Sequence, residues 1–293
     1  MSPTAALSPF VAGTWRLAER GWSAAQTLRW IEATAEAGVS SFDHADIYGG
    51  YTVEALFGDA LALAPGLRQR LQLVSKCGIR LAGHPRGAAR VKHYDTSRAH
   101  IVASVEQSLR ELHTDRLDLL LIHRPDPLLD AAEVAATVAD LKRDGKILAF
   151  GVSNFSPAQF ALLDTHTPLA TNQIELHPLR REPLHDGTLD QLQQRGLRPM
   201  VWSPLAGGRL LGGDESPDAQ RVRWVLGSIA ARLGVAPATV AYAWLLRHPT
   251  RPHPLIGSMR PEGLQEALAA LTLTLDAQTW AELWQAGAGQ ALP

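Results

Sequence analysis

The sequence predicts an α/β fold, a (β/α)8 TIM barrel, and two observations carry that expectation. Eight short runs rich in leucine or β-branched residues alternate from end to end with longer segments of helical, 3.6-residue periodicity. No Pro-, Gly- or Ser-rich linker interrupts the alternation, so residues 1–293 are expected to form a single barrel domain. A doubly wound sheet would show a glycine fingerprint after its first strand, and "GTWRLAERGW" does not have the G-x-G-x-x-G spacing.

From the N-terminus, the strand candidates are 11–15 (VAGTW), 39–44 (VSSFDH), 71–76 (LQLVSK), 117–123 (LDLLLIH), 147–154 (ILAFGVSN), 169–176 (LATNQIEL), 197–203 (LRPMVWS) and 254–258 (PLIGS). The helices between them carry start and stop signals. Ser23 and Gln26 stand in capping-box spacing at the head of a segment that stops at Gly38. Asp130, Glu133 and Gly145 repeat that device. Ser156 is placed as a cap with Pro157 in the first turn. Ile101, Val105 and Leu109 line one face of a further helix. After Leu275, "DAQTWAELWQAG" reads as an extra helix beyond the eighth strand.

Composition excludes several classes. A hydrophobic share of 46% in 293 residues is enough for one large core. The 28 basic and 29 acidic residues leave a net charge of −1 without a like-charge block, so neither a nucleic-acid nor a membrane surface is expected. The single cysteine, Cys77, excludes an internal disulfide and suits a reducing cytoplasm. "MSPTAALSPF" has no basic n-region, and no window approaches the roughly 20 apolar residues of a membrane span.

Two connections are long. Residues 78–96 follow the third strand and carry Arg80, His84, Arg86, Arg90, Lys92, His93 and Tyr94; residues 204–218 follow the seventh. Both belong at the carboxyl face of a barrel, where long loops serve as lids or binding loops. The same face receives the titratable residues that end apolar runs: Asp43 at strand two, Lys76 at strand three and His123 at strand four. Tyr48 lies a few residues beyond strand two.

These four side chains make chemical sense together. A phenol with an ordinary pKa of about 10 is a poor acid at neutral pH, and a neighbouring ammonium is expected to lower it. A buried lysine tends to lose its proton unless a carboxylate holds the charge. Asp43, Lys76 and Tyr48 thus form a relay, and His123 is placed to hydrogen-bond and orient a substrate oxygen. The set describes a proton-donating site for a carbonyl oxygen or alkoxide. No activated nucleophile accompanies it, because Cys77 alternates with Lys76 and faces away from the barrel interior. No second cluster with ligand spacing supports "DHAD" as a metal site, so no metal is expected. An external hydride donor is the remaining option.

The motifs "FDHADIYGGY", "LVSKCG", "DLLLIHRPDP", "FGVSNF", "TNQIELHP", "VWSPLAGGRL" and "LIGSMRPE" resemble, in order and over nearly the whole chain, the aldo-keto reductase superfamily. Within it, "HADIYGGY" and "IHRPDP" are most similar to a bacterial branch of oxidoreductases with poorly defined substrates. The resemblance implies NADPH-dependent reduction of an aldehyde or ketone, with NADH the less favoured cofactor. It makes Tyr48 the proton donor, Lys76 and Asp43 its tuners, and His123 the orienting group. It also implies that Ser153, Asn154 and Gln173 hold the nicotinamide carboxamide and that Trp202 stacks on the ring. Ser203, Pro204, Leu205, Gly207 and Arg209 match the pyrophosphate loop, and Gly257, Ser258 and Arg260 the adenosine end. Arg260 is the candidate for the 2′-phosphate. Trp15 is placed beside the cofactor and, with Trp22 and the 78–96 loop, shapes the pocket.

Two departures stand out. His44 replaces the usual threonine, and Gly263 and Ala267 stand where a longer polar side chain and an asparagine are common. The implied partner is a small carbonyl substrate, and a monomer is expected. The alternative is a nicotinamide-binding regulatory or channel-associated subunit with little turnover.

Overall fold

The computed structural model describes residues 6–84 and 89–292; Arg86 lies outside them. Eight parallel strands close into a barrel. By contact density the chain forms two compact units, the first ending at Asn172 and the second beginning at Gln173.

In the first unit β1 (Val11–Gly13), β2 (Ser41–Asp43), β3 (Gln72–Cys77), β6 (Leu117–Ile122) and β7 (Ile147–Ser153) supply barrel strands. Their register sets the site: Asp43 pairs with Val74, and Lys76 with Leu121. The strand interiors are nearly all buried, as parallel strands covered on both faces must be. Phe42 turns outward and meets Trp30 of helix α1 (Ala24–Glu36) edge-on at 5.5 Å. Its neighbour Asp43 therefore turns inward.

The caps follow the sequence with one exception. Ser23 and Gln26 form a reciprocal capping box, as do Ser156 and Gln159 at α5 (Pro157–Asp164). Ile101 and Val105 of α3 (Arg98–Glu111) are fully buried. Asp130 caps α4 (Ala131–Arg143) alone. Glu133 instead accepts the Arg98 backbone N–H at 2.9 Å, placing a carboxylate at the positive end of α3.

The 78–96 connection is more ordered than a plain loop. Strands β4 (Ile79–Arg80) and β5 (His93–Tyr94) pair antiparallel within it, and Arg80 reaches Asp95 and His100 at the base.

In the second unit β8 (Asn172–Glu175) pairs with β9 (Met200–Trp202), which pairs with β10 (His253–Ile256). Two helices, α7 (Pro217–Leu233) and α8 (Pro237–Leu246), separate β9 from β10, one more than strand–helix alternation requires. Helix α7 supports the C-terminal helix α10 (Ala277–Ala288), and Arg221 Nε donates to Ala286 O at 2.7 Å. Trp244 and Trp280 stack at 5.1 Å, and each indole N–H donates to the other's carbonyl oxygen. Gly287 lets α10 close on the loop after β8, because a Cβ there would strike the Pro178 carbonyl oxygen.

Among the described residues no single helix is long and apolar enough to cross a membrane. Helices α7 and α8 meet that length and composition only as a pair bent by 95°, and α8 is buried from Ala238 to Leu245.

Candidate active site

Asp43, Tyr48, Lys76 and His123 lie in the first unit at the carboxyl ends of β2, β3 and β6, where the sequence put them. Lys76 is the hub. Its ammonium donates to Asp43 Oδ2 at 2.7 Å, to the His44 carbonyl at 2.7 Å and to Tyr48 Oη at 2.9 Å. The same nitrogen sits 4.7 Å from the Tyr48 ring centroid. The Tyr48 and His123 rings meet edge-on at 6.0 Å.

Register explains the convergence. Asp43 and Lys76 end adjacent parallel strands, and the Asp46 N–H bonding to Lys76 O folds the following turn back over β3. That turn carries Tyr48 to the lysine.

Burial changes the expected electrostatics. Burial depresses Lys76, but Asp43 and then Tyr48 outweigh it, so its pKa ends above the ordinary lysine value. Burial is also the largest influence on Tyr48. Lys76 pulls the phenol down, yet the net shift is upward. The expectation of a lowered tyrosine pKa is thus corrected: desolvation of the phenolate exceeds the attraction of an ammonium whose charge Asp43 already holds. Burial, then Lys76, Arg124 and Lys92, holds His123 well below the usual imidazole range. The site therefore carries a protonated phenol and a neutral imidazole at neutral pH.

The structure packs His44 in the core but leaves its Nε2 buried without a hydrogen-bond partner among the described residues. Its ring is fully buried, meets Phe57 edge-on at 4.5 Å and bonds through Nδ1 to Thr14 Oγ1 at 3.0 Å. Burial and then Lys76 push its pKa down to about 3, so it is neutral. Thr14 Oγ1 also bonds Asp43 O at 2.8 Å, which ties the end of β1 to the end of β2. Cys77 is buried with its thiol pKa raised well above normal, chiefly by burial, so it is no nucleophile. Among the described residues no His, Cys, Asp and Glu cluster could hold a metal ion.

The sequence reading missed a polar layer behind the lysine. Asp46, only 7% exposed, accepts from Ser104 at 2.8 Å, while Glu54 accepts from Ser75 at 2.6 Å and Ser108 at 2.9 Å. The serines at 104 and 108 of α3 recur at helical spacing on the face that also carries Ile101 and Val105. That was the available signal.

The remaining candidates fall in the two units separately. In the first, Ser153 ends β7, and Asn154 follows with φ of 62°. Asn154 Nδ2 donates to Ser153 Oγ at 2.8 Å and, at a long 3.4 Å, to the His123 carbonyl. Trp15 is 59% exposed beneath the Arg16 guanidinium. Trp22 packs on Trp30 of α1 at 6.3 Å and lies under Arg20.

In the second unit Gln173 is buried on β8, its amide 3.7 Å from Met200 Sδ, and Trp202 ends β9 half-buried. Ser203, Ala206, Gly207 and Gly208 all adopt positive φ in the turn that also contains Pro204 and Leu205. Gly207 and Gly208 are exposed, with open space where side chains would stand. Such a turn suits close approach of an anion to the backbone. Arg209 is ion-paired with Asp214 at 2.5 Å. Gly257 is exposed, and Ser258 precedes Arg260, the N-cap of α9 (Pro261–Ala269). Gly263 is required where it stands, because a Cβ would strike Ser258, and Ala267 is fully buried.

Comparison with known proteins agrees with this geometry. The aldo/keto reductase family profile matches residues 9–287, and the chain belongs to that family. It is 50% identical to oxidoreductase YdhF of Escherichia coli over 98% of this chain and 95% of that protein. It is 44% identical to a 6-dehydroglucose reductase of Agrobacterium fabrum over 97% of this chain and 95% of that protein. A thermostable aldo-keto reductase, Tm1743, solved with the inhibitor epalrestat, matches with a TM-score of 0.79 at 26% identity, covering 95% of this chain and 94% of that one. The protein is thus an aldo-keto reductase family oxidoreductase on a (β/α)8 barrel.

Proposed function

We propose that this protein is an NADPH-dependent reductase that converts an aldehyde or ketone to an alcohol, with Tyr48 as the proton donor. The observation that carries the reading is Lys76 Nζ held between Asp43 Oδ2 and Tyr48 Oη. A bound reduced nicotinamide supplies hydride to the carbonyl carbon. Tyr48 Oη delivers the proton to the carbonyl oxygen as negative charge develops there, and the raised phenol pKa means that the proton is present to be given. The Lys76 ammonium stabilises the phenolate left behind, and Asp43 keeps the lysine charged. The neutral His123 hydrogen-bonds the substrate oxygen and orients it.

The residues available for the cofactor suit a dinucleotide phosphate. Ser153, Asn154 and Gln173 offer amide and hydroxyl partners for the carboxamide, and Trp202 offers an aromatic face. The positive-φ turn around Gly207 offers backbone N–H groups to the pyrophosphate. The first turn of α9, with Ser258 and Arg260, offers a positive end and a guanidinium to the 2′-phosphate. Similarity to a 6-dehydroglucose reductase supports sugar aldehydes as the first substrates to try. The same reading makes residues 1–293 one catalytic domain, working as a cytoplasmic monomer.

NADPH oxidation measured against aldehydes, ketones, dicarbonyls and sugar aldehydes tests the function. Turnover with at least one class is expected. Tight NADPH binding without turnover across the panel would reverse the conclusion in favour of a regulatory subunit.

A further inference from the structure

Three consecutive residues, Gly49, Gly50 and Tyr51, adopt φ of 59°, 64° and 65° immediately after Tyr48. Glycine tolerates this conformation, but a bulky tyrosine there is a backbone outlier that the surroundings must hold in place. Tyr51 is 8% exposed, so the unfavourable backbone delivers its side chain inward. The hydroxyl accepts the Leu81 N–H at 3.2 Å and lies a long 3.5 Å from Ile79 O. The ring packs on His84 with centroids 4.5 Å apart. Every one of these contacts is to the 79–84 arm of the hairpin that continues from β3, the strand of Lys76.

The turn itself is pinned from behind. Asp46 is bonded to Ser104 of α3, and the His44 carbonyl to Lys76. Tyr51 therefore links the turn that carries Tyr48 to the 79–84 arm of the hairpin.

We infer that Tyr51 is a positioning residue for the carbonyl substrate: it docks the 79–84 arm against the turn that carries Tyr48, so that the substrate side of the site is formed before binding. The inference rests on the reductase reading above. It concerns substrate affinity and not the chemical step, because the Tyr51 hydroxyl and ring meet Ile79, Leu81 and His84 of the hairpin arm.

Two variants test it. Tyr51→Phe removes only the hydroxyl. Tyr51→Gly removes the whole side chain while keeping the positive φ without strain, and a thermal melt taken alongside shows whether it is folded. Hydrogen exchange at the Leu81 amide should quicken about tenfold in Tyr51→Phe, the order expected for one lost hydrogen bond. KM for the carbonyl should rise by about five- to tenfold in Tyr51→Phe and further in Tyr51→Gly, with kcat and NADPH affinity within about twofold of wild type.

Unchanged Leu81 exchange would remove the anchor and the inference with it. Faster exchange with an unchanged KM would show a purely structural contact, and a fall in kcat at constant KM would place Tyr51 in the chemistry; either result overturns the proposal. A wild-type protein without turnover sinks the reductase reading and the substrate role together. In that case Leu81 exchange still decides whether the anchor exists.

Discussion

Lys76 Nζ stands 2.7 Å from Asp43 Oδ2, and each side chain is only 1% exposed. Two charges so far from solvent are stabilised mainly by each other, since removing one partner of such a pair costs about 3–5 kcal/mol. The pair therefore serves two purposes. It fastens β2 to β3 at the carboxyl face, and it keeps an ammonium beside Tyr48 that an isolated buried lysine could not maintain.

Tyr48→Phe keeps the ring and deletes the acid. Carbonyl reduction should fall by about 10²–10⁴-fold, the usual worth of a positioned general acid. NADPH affinity by fluorescence titration should stay close to wild type. Near-normal turnover would shift the acid role to His123.

Lys76→Met should lose activity comparably, provided that thermal melts show a folded variant despite the lost Lys76–Asp43 ion pair. Burial already holds Tyr48 above the ordinary phenol range, and Lys76 restrains that rise. Without the lysine the phenol pKa climbs further. The alkaline limb of any residual rate, which reports loss of the phenolic proton, should therefore move to higher pH. An unmoved limb would mean that the two groups are not coupled.

Arg260→Ala should weaken NADPH more than NADH, by about 1.5–3 kcal/mol for a lost charged hydrogen bond. The guanidinium is exposed at the head of α9, so folding should not change. Equal losses for both cofactors, measured as dissociation constants, would place the 2′-phosphate elsewhere.

Asp46 predicts a pH dependence of stability. Burial is the main cause that raises its pKa from 3.8 to about 8, opposed by the Ser104 hydrogen bond. Between those values the folded chain holds the proton and the unfolded chain does not, so stability falls as pH rises through that window and levels off above it. Asp46→Asn is neutral throughout, so its melting temperature should gain on wild type from the acid end of the window to the alkaline end. A constant difference between the two proteins would show that Asp46 is ionised in the fold.

Gly287→Ala should destabilise by about 1–3 kcal/mol, the usual cost of forcing atoms into a packed contact. A side chain there meets the Pro178 carbonyl oxygen, so α10 must move away from the loop after β8. A denaturant midpoint unchanged from wild type would contradict that packing.

The sequence by itself determined the barrel, because strand and helix periodicities are local. Hydrophobic runs at the eight strand positions, the Ser23 and Ser156 caps and the terminal helix after Leu275 could each be recognised within a few residues. The positions of Asp43, Lys76 and His123 at the carboxyl face were also legible. A titratable side chain that ends an apolar run marks the carboxyl end of a barrel strand, whatever lies around it.

What only the tertiary structure decided was how those side chains are partnered and how much water reaches them. Glu133 has capping spacing with Asp130 but bonds Arg98, 35 residues away. His44 has no local explanation, and finds one in Thr14 across the barrel wall and in Phe57. The direction of the Tyr48 pKa could not be deduced from the presence of Lys76. It depends on the balance between the charge of Lys76 and the desolvation of the phenol, and desolvation is set by every element that closes over the site. Tyr51 reads as one more aromatic after a Gly-Gly pair until its positive φ and its contact with Leu81 show which way the backbone turns. Periodicity is carried by neighbours in the chain; burial and pairing are made by residues that only folding brings together.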